Sequence, residues 1–354
     1  MGKTAIVFSP IFTKHNPGRG HPESAQRVTV VIREIEKRKA EFDAMLQLVQ
    51  PEKASLEDVE LVHAPEYIRL VDAVCRAGGG PLDSQDTVAS PETFEVALYA
   101  VGGALKAVDL VVERKFENAF ALVRPPGHHA ERFRALGFCI FNNVAIAAQY
   151  LVQKFNLKRV LILDVDAHHG NGTQKRFYET DKVLYMSLHE DPTDFPGTGF
   201  INEVGKGEGA GYNVNIPLPY GTGDRIYLRA VTEIVTPIIR QYEPEFILVS
   251  AGFDSHYLDP VGNLSLSTRC IQQVYETITG LASRICEGRF VCVLEGGYNL
   301  KTIGQLAVTA IAKMSRSSLS VDGRMPPIER DAMSQGEKVI KETKKVQRDF
   351  WKIG

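Results

Sequence analysis

Residues 159–173 read RVLILDVDAHHGNGT. The first half is a short apolar, β-branched run, and the second is dense in groups that ionise or bind metals. Apolar residues on consecutive positions over one strand's length predict a strand buried on both faces, as in the middle of a parallel sheet. We read that strand as 159–166, and similar runs recur: TAIVF at 4–8, AFALV at 119–123, KVLYMSLH at 182–189, FILVSAG at 246–252 and FVCVLEGG at 290–297. Helix-period segments separate them, near 26–39, 91–113, 142–155, 224–242, 267–286 and 300–314. Strand alternating with helix predicts one α/β domain, a mainly parallel sheet with helices on both faces.

In such a sheet, ligands bind beyond the carboxyl ends of the strands. After AFALV comes RPPGHHAE with His128 and His129, and after RVLIL come Asp164, Asp166, His168, His169 and Asn171. FILVSAG is followed by Asp254 and His256, and FVCVLEGG by Tyr298. A lone histidine in such a place is more often structural, and a lone aspartate often caps the next helix. Four strand ends carrying convergent His, Asp and Tyr point instead to a site. Asp164 and Asp166 fall on one strand face by the period of two, where desolvated like charges repel and call for cations.

Asp166, His168 and Asp254 offer two carboxylates and one imidazole, leaving positions open for water and substrate, as at catalytic zinc. No thiolate is near, so zinc is the default and iron(II), cobalt and manganese stay open. The pair His128 and His129 can supply a base, with Asp164 and Asn171 as partners for the outer ring nitrogens, so that the two histidines differ in basicity. Tyr298, after an EGG turn read as flexible, offers a phenolic donor to a carbonyl oxygen that becomes an oxyanion. Metal, base and oxyanion donor together specify hydrolysis of a carbonyl compound.

The whole chain sets the context. Its 354 residues are 44% hydrophobic and 24% charged, ordinary globular composition with material for a large core. A net charge of −2 without a long basic block gives no reason to expect nucleic acid or membrane as a partner. Five cysteines without CxxC spacing read as reduced core thiols. The N-terminal run reads as a first strand and not a signal peptide, and no stretch approaches the ~20 apolar residues of a spanning helix, so a soluble, cytoplasmic protein is expected. SRSSLSVDGRMPP from residue 315 breaks the pattern. We therefore expect a catalytic domain over 1–315 and an extension over 316–354, a helix docked by Phe350 and Trp351 or else a partly disordered tail.

HPESAQR at 21–27, RPPGHHA, GFCIFNN, DVDAHHGNGT, YMSLH, FPGTG, GFDSH and LEGGYN at 294–299 follow one another in an order that resembles the histone deacetylase family. That family also includes acetylpolyamine amidohydrolases and acetoin-utilisation proteins. The resemblance implies an arginase/deacetylase fold and a zinc-dependent deacetylase of acetyl-lysine or a similar acylated amine. It makes Asp166, His168 and Asp254 the zinc ligands, His129 the general base and acid, His128 its electrostatic partner and Tyr298 the carbonyl-polarising group. Asp164 matches the carboxylate paired with His128, and Asn171 the residue paired with His129. Asn at 171, together with HPES, looks like the class II branch; some members of that branch carry His at the position of Tyr298.

A potassium site is implied at Asp164, Asp166, His168, Ser187 and Leu188, and a second monovalent site at Phe177, Thr180, Val183 and Tyr212. Phe138 and Phe195 match paired aromatics that sandwich an alkyl stem, core phenylalanines being the plain alternative, and Gly137 matches a carbonyl that receives the substrate N–H. Arg27 matches an arginine near the acetate exit, against the alternative of a helix-surface salt bridge. Polyamine-selective relatives place Glu where this chain has Val261, which weakens an acetylpolyamine reading without removing it.

Two other classes compete. A metal ureohydrolase of the arginase type would need a second Asp in a DAHxD pattern, which DAHHGN lacks. A non-catalytic acyl-lysine binding module would have lost Tyr298 or the histidine pair, and both stand. The physiological substrate and any homo-oligomer stay open at this level.

Overall fold

Val, Leu and Ile on consecutive positions leave a strand no face to give to water, so such strands lie inside. The computed structural model describes residues 3–42, 45–82, 85–319, 326 and 330–354. Its strands are β1 (Thr4–Val7), β2 (Leu46–Val49), β3 (Gly80–Pro81), β4 (Val88–Ala89), β5 (Asn118–Ala121), β6 (Val160–Asp164), β7 (Val183–Glu190), β8 (Asn213–Leu218), β9 (Phe246–Ala251) and β10 (Phe290–Leu294). Eight of them form one parallel sheet in the order β2-β1-β5-β10-β9-β6-β7-β8, and β3 pairs with β4 in a small antiparallel ladder. Every residue of β1, β5, β6, β7, β9 and β10 is buried.

The sheet's two edges are the strands that the apolar-run reading misses. LQLV of β2 is only partly buried, and NVNIPL of β8 carries two asparagines and Pro217, which an edge strand tolerates because it needs fewer ladder donors.

The helices are α1 (Gln26–Lys37), α2 (Leu56–Glu60), α3 (Pro65–Arg76), α4 (Thr93–Val112), α5 (Asn143–Lys154), α6 (Asn171–Phe177), α7 (Asp224–Ala230), α8 (Thr236–Tyr242), α9 (Thr268–Ile285), α10 (Ile303–Met314) and α11 (Arg330–Gln347). α4 and α5 pack on each other and on the sheet, while α1, α10 and α9 form a second packed row continued by α7, α8 and α11. The single helix expected over 224–242 is interrupted by a π-turn at Val231–Val235, ahead of Pro237, whose ring disfavours regular bonding to the preceding turn. No helix among the described residues is long and apolar enough to cross a membrane. All five cysteines are buried and unpaired.

Residues 320–325 and 327 of the expected linker lie outside the described residues. Beyond it α11 packs on β8 and α7, with Ile340, Thr343 and Gln347 buried. Trp351 Nε1–H donates to the Gly211 carbonyl at 2.9 Å, and its ring meets Tyr212 and Tyr242 edge-on at 5.8 and 6.4 Å. Phe350 leans on Gly211 but stays 41% exposed. Docking therefore rests more on Trp351 and the buried helix face than on Phe350. Trp351→Ala should cost about 2 kcal/mol, less than the ~3–5 of a fully buried tryptophan, and Phe350→Ala under about 1 kcal/mol. Urea midpoints of the two variants check the ranking; equal shifts would contradict it.

The segment between β5 and α5 is held by His63, whose Nδ1 lies 2.8 Å from the Glu131 carbonyl and whose Nε2 accepts the Asn142 N–H at 2.8 Å. One nitrogen donates while the other accepts, which only neutral imidazole does. Burial pushes its pKa down from 6.5 to about 3. The unfolded chain therefore binds an extra proton between these values, and stability falls as pH drops below 6.5, by at most about 1.4 kcal/mol per pH unit from this group. In urea titrations the stability gap between the parent and His63→Gln should shrink from about pH 7 to about pH 5. A constant gap would show that His63 does not supply this pH dependence.

Candidate active site

β5, β10, β9 and β6 are consecutive in the sheet, so the segments leaving their carboxyl ends converge. They meet around a cavity of about 410 Å³ lined by His129, His168 and Tyr298, with Gly137, Phe138, Phe195 and Val261 on its walls. The His129 and Phe195 rings meet edge-on at 4.9 Å, and those of Phe138 and Tyr298 at 5.6 Å. The two phenylalanines are thus cavity walls, half-buried, and not core.

Asp166, His168 and Asp254 present donor atoms that all lie within 4.8 Å of one another. His168 Nδ1 is 3.3 Å from Asp166 Oδ1 and 3.2 Å from Asp254 Oδ2. Main-chain N–H groups aim the carboxylates: Ala167 N donates to Asp254 Oδ1 at 2.9 Å and Gly296 N to Asp166 Oδ2 at 2.8 Å. A Cβ on Gly252 or Gly296 would collide with these carboxylates, so both positions need glycine. Burial and then the neighbouring Asp166 charge push Asp254 up to about 7. Burial also opposes ionisation of Asp166, but His128 and His168 outweigh it and hold that carboxyl below its ordinary range. Two buried carboxylates converging on one imidazole nitrogen suit a divalent cation, since two oxygens and a nitrogen leave positions open. Among the described residues His128, Cys139 and Glu295 also lie close together, but burial keeps the Cys139 thiol protonated and His128 Nδ1 is committed to Asp164.

The adjacent histidines differ sharply. His128 Nδ1 lies 3.0 Å from Asp164 Oδ2, and although burial opposes its charge, Asp166 and Asp164 raise its pKa to about 10. His129 Nδ1 lies 2.9 Å from Asn171 Oδ1; burial, then the positive His128 and His168, lowers its pKa well below 6.5. Neutral His129 and charged His128 are the basicity difference that their unlike partners predict. Burial keeps the Tyr298 phenol protonated despite the Arg27 charge 4.7 Å above its ring.

Several expectations need correction. β6 ends at Asp164, so Asp166 lies in the loop and the two do not share a strand face; the loop turns so that Asp166 N–H donates to Asp164 Oδ1 at 3.2 Å. The EGG turn is not flexible surface: Glu295 is fully buried and its Oε2 accepts the N–H groups of Gly127 at 2.7 Å and His128 at 3.1 Å. Nor is Arg27 on a helix surface. It is fully buried, bonded to Glu23 at 3.0 Å and to the carbonyls of Gly297 and Glu295, beneath Tyr298. His256 stays outside the cluster, its ring 4.6 Å from that of Tyr257.

Of the expected potassium ligands, Ser187 pairs with Asp164 in the β6–β7 register and Leu188 follows it, both buried. Phe177, Thr180 and Val183 line a separate cavity of about 370 Å³ together with Lys175, Arg176 and Lys182, whereas the Tyr212 carbonyl accepts the Tyr185 N–H at 3.0 Å. Missed in the sequence were Glu295, Glu131, Glu190 and Asp259. Asp259 Oδ2 accepts the Tyr298 N–H at 2.6 Å, and Glu190 Oε1 sits 3.7 Å from His168 Nε2. An acid closing a strand of apolar residues, as Glu190 and Glu295 do, was the available signal.

A histone deacetylase domain model matches residues 21–314. A probable deacetylase of Archaeoglobus fulgidus is 39% identical over 360 residues, 99% of each chain. Histone deacetylase 14, chloroplastic, of Arabidopsis thaliana is 36% identical over 98% of this chain and 84% of that one. The histone deacetylase-like amidohydrolase of Pseudomonas aeruginosa is 37% identical over 77% and 71%. The crystal structure of the HDA15 HD domain superimposes with a TM-score of 0.88 at 31% identity, covering 99% of this chain and 95% of that one. With this fold and these matches, the chain belongs to the histone deacetylase family and is a hydrolytic deacetylase.

Proposed function

We propose that the protein is a zinc-dependent deacetylase that hydrolyses the amide of acetyl-lysine or a similar acylated amine. One observation carries this reading: an Asp166–His168–Asp254 donor set with both carboxylates buried, a neutral histidine and a protonated phenol come together at one cavity. A divalent ion held by Asp166, His168 and Asp254 would supply a Lewis acid for the carbonyl and lower the pKa of water. His129, neutral and partnered by Asn171, takes a proton as water attacks the carbonyl carbon and returns it to the departing amine nitrogen. His128, kept charged by Asp164, favours the negative charge that develops. Tyr298 donates its O–H to the carbonyl oxygen. Phe138 and Phe195 confine the alkyl stem, Gly137 offers its carbonyl to the substrate N–H, and Arg27 orders the floor beside the acetate exit. Asp164, Asp166, His168, Ser187 and Leu188 are the proposed potassium ligands, supported by the two carboxylates buried there.

A second reading of the substrate has its own support. Asp86, Glu190 and Asp194 also line the cavity, and three carboxylates favour a substrate that keeps a positive charge beyond its acyl group, such as an acetylpolyamine.

Removing only the phenolic hydroxyl tests the chemistry. Tyr298→Phe should lose about 10²- to 10³-fold in kcat with zinc content unchanged, whereas Asp254→Ala should lose zinc and activity together. Turnover of Tyr298→Phe within a few-fold of the parent, or full zinc in Asp254→Ala by elemental analysis, would refute the respective role. Acetylpolyamines should exceed uncharged N-acetyl alkylamines of equal length by about ten-fold in kcat/KM at low salt, and the advantage should shrink as salt screens it. Equal values at low salt would remove the cationic reading.

A further inference from the structure

We infer that Glu131 is a positioning residue that fixes the tautomer of His129 by orienting the Asn171 amide. The inference rests on the reading of His129 as the base. Asn171 Nδ2 donates to two oxygens, Glu131 Oε1 at 3.0 Å and the His129 carbonyl at 3.3 Å. Neither a carboxylate nor a carbonyl has a proton to give. Turned over, the amide would set its oxygen against both of them and its NH₂ against His129. The amide therefore keeps Oδ1 toward His129 Nδ1, 2.9 Å away, and that nitrogen must carry the ring proton. The lone pair is left on Nε2, and a base needs it there. An imidazole that acts as a base is neutral, so the choice between its two tautomers is a real one.

The charge on Glu131 makes this preference, which the His129 carbonyl shares, a strong one. A neutral acid would hold an O–H able to donate to a turned amide, and the preference would weaken. Glu131 is only 8% exposed, and burial by itself raises its pKa. Arg134 Nη2 donates to Oε1 at 2.9 Å and Lys175 Nζ to Oε2 at 2.7 Å, and these bonds bring the pKa below its ordinary value. The main chain adds rigidity: Glu131 N–H donates to the Arg134 carbonyl at 2.9 Å, and His63 holds the Glu131 carbonyl. Two surface cations thus act on a buried base through one carboxylate and one amide.

The test uses the zinc-loaded protein and an acetyl-lysine peptide. Glu131→Gln puts an NH₂ where the amide could turn to meet it, and kcat should fall about 10- to 100-fold, with KM, zinc content and melting temperature little changed. Adding Asn171→Asp should restore kcat to within a few-fold, because a carboxylate at 171 accepts from Nδ1–H in either orientation and the amide introduced at position 131 can donate to it. Asn171→Asp alone sets two carboxylates face to face and should be impaired. An unimpaired Glu131→Gln, or a loss that Asn171→Asp leaves in place, would overturn the inference; the latter is what a purely structural ion pair gives. Long-range ¹H–¹⁵N spectra of ¹⁵N-histidine protein provide a readout that needs no turnover. They should show His129 protonated on Nδ1, and an Nε2–H tautomer would overturn the inference even if a variant failed to fold. A parent with no deacetylase activity would sink the functional reading and leave this result to stand or fall by itself.

Discussion

Asp164, Asp166, Asp254 and Glu295 are buried within one region at the carboxyl ends of three adjacent strands. Burying like charges together is strongly unfavourable unless positive charge and donors are brought to them. Much else in the molecule answers that demand. Main-chain N–H groups of Ala167, His168 and Gly296 turn toward the carboxylates, Gly252 and Gly296 clear space for them, and His128 takes up a proton against its own desolvation. The divalent cation proposed for Asp166, His168 and Asp254 would meet what remains of the demand by the same physics.

Burial, and then the charge on His128, sets the state of His129. The two rings lie 4.0 Å apart, centroid to centroid, and a second positive charge at that distance in a buried site is disfavoured. His129, desolvated and beside that charge, is left neutral and able to accept a proton. Its partner, an amide and not a carboxylate, does not pull a proton onto it, but an amide has two ends. A neutral partner in place of a charged one shifts the burden of orientation onto the next shell, where Glu131 stands with its two surface cations.

The cavity walls are held by loops. Phe138 and Phe195 sit in loops, the first at a positive φ of 67°, in the left-handed region that a non-glycine residue adopts only when its surroundings hold it. Phe138 N–H donates to Thr87 Oγ1 at 3.1 Å, which ties the loop to the β3–β4 ladder. The loop bearing Phe195 is anchored from the core by His169 and His189, whose ring nitrogens lie 3.1 Å from Thr198 Oγ1 and 2.9 Å from the Gly199 carbonyl. The walls stand on buried polar groups.

The central strands, most of the long helices and the polar groups that follow the strand ends, Asp166, His168, Asp254 and the histidine pair among them, were legible in the sequence, because each is written in a local pattern. Consecutive apolar residues give a strand, a period near 3.6 gives a helix, and polar residues just after a parallel strand face the binding end. The edge strands β2 and β8, the helix α3 and the break before Pro237 were not legible. An edge strand is stabilised by its neighbour more than by its own composition, and LQLV alone could belong to anything. The carboxylates were legible in kind but not in role. Arg27 and Glu23 look like a helix-surface pair, four residues apart, until the fold lays Tyr298 across them and removes the water. Glu131 looks like one more surface acid beside two arginines, until Asn171, forty residues on, brings it an amide that can face only one way. Sequence by itself determined which groups are present and which strand ends they follow. Only the tertiary structure decided which of them lose water together, and desolvation, a property of the whole surroundings, sets their charge and their orientation.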